Sequence, residues 1–132
     1  MRRFIFLYAL FSGLAGSALG EPMSAAEFEA YVTGRTILYG RDGSHYGGER
    51  YLEGREVEWS RADGTCSYGF WYPAGDYICF EYEDVETAQC WIFEETATGL
   101  SATYVQEDPK SPLLEYQNFV GPLGCIGPKV GV

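Results

Sequence analysis

The chain has 132 residues, 46% apolar and 17% aromatic, with 19 acidic against 9 basic side chains. That composition excludes a disordered segment and leaves room for one ordinary domain. A charge of −10 excludes nucleic-acid affinity built on clustered Lys and Arg, and a single histidine, His45, excludes multi-histidine metal sites.

Arg2 and Arg3 precede an uncharged run from Phe4 to Gly20, apolar at its head and rich in small residues at its tail. Ala18-Leu19-Gly20 puts small residues at −3 and −1 of a cleavage site. This predicts a bacterial-type signal peptide over 1–20 and a mature domain over 21–132. A retained membrane anchor is disfavoured, because the run falls short of the roughly 20 apolar residues a span needs and contains Gly13, Gly16 and Ser17. The expected location is periplasmic or secreted, with no stable membrane anchor after cleavage. Loss of the leader leaves 7 basic against 19 acidic side chains, a charge of −12. Cys66, Cys79, Cys90 and Cys125 all lie in the mature part, at spacings without a Cys-x-x-Cys zinc knuckle. An even count in a small exported domain reads as two disulfides.

Ser24-Ala25-Ala26-Glu27 forms a capping box ahead of a helix over 25–33, whose stripe is Phe28, Tyr31 and Val32 and whose stop is Gly34. From Arg35 onward, aromatic and β-branched runs alternate with turn signals about every ten residues. Strands are predicted near 36–39, 49–53, 56–60, 66–72, 77–83, 89–95, 100–106 and 114–119. The tail from about Gly121 is irregular. Connections this short join antiparallel neighbours. The predicted fold is mainly β, an up-and-down meander of seven or eight strands closing into a small barrel, with one N-terminal amphipathic helix packed on it. An open two-sheet sandwich is the alternative.

If Pro73-Ala74-Gly75-Asp76 is a hairpin loop, Tyr72 opposes Tyr77 and Phe70 opposes Cys79; if Cys79 opposes Cys90, Ile78 opposes Trp91. Opposed residues share a face. Trp71, Ile78, Phe80 and Trp91, with Gly69, then form the interior, joined by Val57 and Trp59. Phe70, Tyr72, Tyr77, Cys79, Cys90 and Ile92 form the exterior. The register predicts Cys79–Cys90 and leaves Cys66–Cys125 to pin the tail. The apolar exterior around the disulfide has two readings, cover by the helix or a partner surface of Phe70, Tyr72, Tyr77 and Ile92, and the helix is favoured.

The helix followed by Thr33-Gly34-Arg35-Thr36, then Gly69-x-Trp71, Cys79-Phe80, Cys90-Trp91 and the ending Cys125-Ile126-Gly127-Pro128 resembles small exported bacterial four-cysteine proteins with no assigned activity. The resemblance implies a lipocalin-like or avidin-like barrel and carries no mechanism with it. The Gly-x-Trp lies on a middle strand and not on the first, which argues against a lipocalin-sized cavity.

No catalytic constellation emerges, and the chain is read as a non-enzyme without cofactor or metal. His45 falls in Gly43-Ser44-His45-Tyr46-Gly47-Gly48, read as a solvated loop without an orienting acid. Glu81, Glu83, Asp84 and Glu86 lack the spacing of a calcium loop and read as a solvated hairpin tip. Arg35 is expected to meet a carboxylate near the barrel mouth. Trp59, Trp71, Phe80, Trp91 and Tyr104 are the candidate ligand-lining residues. Packing is the favoured reading of that interior, since the chain is short and its strands bulky. The function expected is a non-catalytic binding or stress-associated module of the envelope, taking a small apolar ligand. The alternative is an acidic inhibitor of a cationic enzyme such as a lysozyme, whose partner would be a basic protein.

Overall fold

A computed structural model describes residues 20–106 and 111–127. The signal-peptide reading, apart from Gly20, lies outside the described residues, as do the Asp108-Pro109 turn and the last five positions. One helix, α1 (Ala25–Val32), precedes eight strands: β1 (Thr36–Arg41), β2 (Ser44–Tyr51), β3 (Glu56–Arg61), β4 (Cys66–Ala74), β5 (Tyr77–Tyr82), β6 (Gln89–Thr96), β7 (Gly99–Tyr104) and β8 (Leu113–Phe119). Every neighbour pair is antiparallel and β8 returns to pair with β1, so the sheet is a closed barrel. Closure removes the free edges that an open meander of this length would expose.

The turn chemistry explains the order. Asp42 and Gly43 both take positive φ, 50° and 80°, as a two-residue hairpin loop between right-twisted strands requires. The β4–β5 hairpin differs from the expected register. Pro73 pairs with Ile78 and Ala74 with Tyr77, so only Gly75 and Asp76 form the loop. Tyr72 therefore opposes Cys79, and Trp71 opposes Phe80. The slip is two residues, an even number, so each side chain keeps its face. Across β5 and β6 the pairs are Ile78 with Trp91 and Cys79 with Cys90.

The disulfides join Cys79 to Cys90 and Cys66 to Cys125. The second ties the tail to the start of β4, where Ile126 also bridges Thr65. The core contains Ile37, Val57, Trp71, Ile78, Phe80, Phe93, Leu100 and Leu113, together with Phe28 and Val32 of α1. No helix among the described residues is long and apolar enough to cross a membrane.

The helix does not lie over the apolar exterior. Ser24 caps it through an N–H bond from Glu27, and Phe28 and Val32 are fully buried. Phe28 meets Trp71 and Tyr51 edge-on at 5.1 and 5.7 Å and lies 4.5 Å from Phe93, all interior side chains. The helix is a plug in one end of the barrel. A barrel with two open mouths offers an apolar stripe a deeper seat than the outside of a sheet does. Phe70 and Tyr77 consequently remain 45% and 41% exposed.

Candidate functional site

The plug is fastened at its rim by polar contacts. Tyr31 donates its hydroxyl to Glu115 at 2.9 Å, and Glu115 also accepts the Leu100 N–H. Burial, then the Glu115 hydrogen bond, push the Tyr31 hydroxyl up to about 12. Arg55 pairs with Glu29 at 3.2 Å while its guanidinium lies over the Trp71 ring. Arg35 also belongs to this end. It donates to the side-chain and backbone oxygens of Asn118, not to a carboxylate, and it is not at the open mouth.

The other end holds a cavity of about 390 Å³, formed inside the barrel by residues of β1 to β8 and the β5–β6 loop. That volume sits at the low end of the range for small-molecule pockets. The interior is therefore not filled, contrary to the expectation drawn from bulky strands. Trp59, Phe80 and Trp91 line the cavity. Trp71 does not, because it is committed to Phe28. Nor does Tyr104, which opposes Trp91 across the β6–β7 pair and packs its ring 4.9 Å from it.

Trp59 sits where it does because Gly47 lies beneath it. A Cβ on Gly47 would come within 2.4 Å of the indole Cζ2 and 2.7 Å of the Ser60 carbonyl. Glycine at that position lets the ring lie flat along the wall. His45, in the same stretch, is not in a loop; it stands on β2 and its Nδ1 shares a hydrogen bond with the Tyr116 hydroxyl outside the barrel.

Two hydrogen-bonded pairs of polar side chains line the cavity. The hydroxyls of Tyr39 and Tyr51 bond each other at 2.8 Å. Glu49, 2% exposed, accepts the Tyr82 hydroxyl on Oε1 at 2.9 Å, whereas its Oε2 is buried without a hydrogen-bond partner among the described residues. Burial, the largest influence, pushes the Glu49 carboxyl well above its ordinary range; the Tyr82 bond opposes this and Glu58 adds to it. Burial likewise raises the hydroxyls of Tyr39, Tyr51 and Tyr82. Glu49 faces inward by its place in the strand: it opposes Trp59 across the β2–β3 pair and alternates with Gly47 and Tyr51. An acid in the inward phase of a strand is the sequence signal for it.

At the mouth, Arg61 donates to Asp84 at 3.0 Å and to Ser67, whose hydroxyl donates to Asp84 at 2.8 Å. Burial raises the Asp84 carboxyl, but the bonds from Ser67 and Arg61 together outweigh it and hold the group below its ordinary value. Asp84, read as part of a solvated tip, is thus the counter-ion of the cavity's one lining arginine. Of the exterior residues, Phe70 and Tyr72 pack ring to ring at 6.1 Å and Ile92 is half-buried.

The chain matches no family model, no curated protein and no solved structure.

Proposed function

We propose that this chain is a non-catalytic small-molecule-binding module of the bacterial envelope, exported by its N-terminal segment. The observation that carries the reading is the 390 Å³ cavity, closed at one end by α1 and lined by aromatic rings together with polar side chains. An enclosed space of this size in which aromatic rings and convergent polar groups meet is the ordinary form of a small-ligand site. Two disulfides suit an oxidising compartment and hold the walls to one shape, which lowers the entropy lost when a ligand is bound.

Titration with the neutral fluorescent probe N-phenyl-1-naphthylamine tests it. Saturable uptake is expected. Ala102→Phe should abolish that uptake without unfolding the chain, since Ala102 lines the cavity and is buried. No saturable uptake by the native chain would end the proposal.

The exposed Phe70 and Tyr77 on a chain of charge −10 favour a second reading, an acidic inhibitor of a cationic enzyme. Lysozyme binding that weakens steeply with salt, and is lost in Phe70→Ser with Tyr77→Ser, would support it. Absence of binding at low salt would remove it.

A further inference from the structure

The unpartnered oxygen of Glu49 narrows the ligand class. A buried carboxyl costs several kcal/mol as an unpaired ion, and its position is one that an apolar side chain could fill. Among the described residues the ion pairs are Arg50–Glu58, Arg55–Glu29 and Arg61–Asp84, so no side-chain cation pairs with Glu49. Arg61, the cation that lines the cavity, is already neutralised at the mouth by Asp84. The cavity thus has on its wall a carboxyl, kept protonated by burial while the cavity is empty, without a matching positive charge from the protein; an arriving ammonium supplies that charge as the carboxyl releases its proton to solvent.

The lining of the cavity suits an organic cation. The rings of Trp59, Phe80 and Tyr82 line the same cavity, and aromatic faces attract ammonium groups. Apolar walls accept a hydrocarbon body. The overall charge of −10 raises the concentration of cations at the mouth and disfavours carboxylates and phosphates. We infer that the cavity takes a protonated organic amine, its ammonium on the Glu49 carboxyl and its apolar body among Trp59, Phe80 and Trp91. This rests on the reading of the chain as a small-molecule carrier and specifies its ligand.

Three probes with the same phenylethyl body test the charge separately from the cavity: 2-phenylethylamine, 2-phenylethanol and 3-phenylpropanoate, each titrated against native protein by tryptophan emission and calorimetry. The amine should bind about tenfold or more tightly than the alcohol, and the carboxylate most weakly, as expected for a charge-assisted contact away from bulk water. Glu49→Gln should bring amine and alcohol to equal affinity while still taking up N-phenyl-1-naphthylamine, which shows the cavity intact. If that variant does not fold, the amine-against-alcohol ratio in the native chain decides alone. Alcohol or carboxylate binding as tightly as the amine would overturn the cation and leave the carrier reading standing. So would uptake of the naphthylamine with none of the three. Uptake of no probe at all would overturn both.

Discussion

At the helix end, Phe28 reaches into the barrel and three rings close on it, those of Tyr51, Trp71 and Phe93. At the far end of the same strands, Trp59 and Trp91 line a cavity, and the buried polar groups there include a carboxyl and three tyrosine hydroxyls. Both ends draw on the same alternation of inward residues. The difference comes from what enters from outside the sheet. A helix supplies an aromatic side chain at one mouth, and among the described residues nothing equivalent enters at the other. In an eight-stranded barrel the interior is just wide enough to be filled by side chains or to hold one small ligand, so one added ring decides between the two. Stability is therefore expected to concentrate at the plugged end, and the open end to tolerate change.

The largest expected effect is at the plug. Phe28→Ala should lower stability by about 3–5 kcal/mol, because the vacated space is ringed by rigid aromatic walls that cannot collapse. Chemical denaturation reads it. A loss below about 1 kcal/mol would mean the helix is only loosely seated, and the contrast between the ends would go with it. The disulfides come next. The Cys66–Cys125 pair closes a separation of 59 residues and the Cys79–Cys90 pair one of 11. On loop entropy alone, their removal by paired Ala substitution should cost about 4 and about 3 kcal/mol respectively. Equal losses, or the reverse order, would show that the tail disulfide does not restrain the unfolded chain as its length implies.

Much of this was legible from residues and spacing. The eight strands, the faces and the disulfide pairing follow from alternation, turn residues and the opposition of Cys79 to Cys90. The Pro73-Ala74 step misled because those residues usually punctuate strands; here β4 runs through them to a two-residue loop at Gly75-Asp76. The seat of α1 was not legible, since the stripe of Phe28, Tyr31 and Val32 says that a face is buried but not against what. The cavity was not legible either. Its volume depends on one helix residue filling one end and on Trp71 turning toward that residue, which are tertiary facts. Glu49 was readable in principle from its inward phase between Gly47 and Tyr51.

Glu49 supplies a third prediction, of moderate size and with a definite sign. Its folded carboxyl is held well above the ordinary range, so between an unfolded value of about 4.3 and the folded one, the unfolded chain has lost a proton that the folded chain keeps. The contribution is fully present below the unfolded value and is lost as pH rises through the folded one, with a slope of at most about 1.4 kcal/mol per pH unit. Asp84, held low, acts in the opposite sense and only as pH falls below its ordinary value. Glu49→Gln should flatten the decline above that range. Denaturation series from pH 4 to 9 on both proteins measure it, and parallel curves would show that Glu49 keeps no proton on folding.

The smallest effect is expected from a large side chain, and it tests the contrast most directly. Trp59 and Trp71 are both inward indoles on adjacent strands. Trp71 is 1% exposed and clasped between Phe28 and the Arg55 guanidinium, whereas Trp59 is half-buried at the cavity edge, touching Tyr46 and the surface of Gly47. Removing Trp71 leaves an enclosed void and should cost about 3–5 kcal/mol. Removing Trp59 widens a space that already meets solvent at the mouth, so no sealed void is created. The loss is then confined to the apolar area the indole buries, about 1–2 kcal/mol. Paired denaturant melts of Trp59→Ala and Trp71→Ala give the two numbers side by side. Similar losses would mean that the open end is packed as tightly as the plugged one and would remove the ground for a ligand there. A gap of the expected size, with naphthylamine uptake weakened only in the Trp59 variant, would assign stability to one end of the barrel and binding to the other.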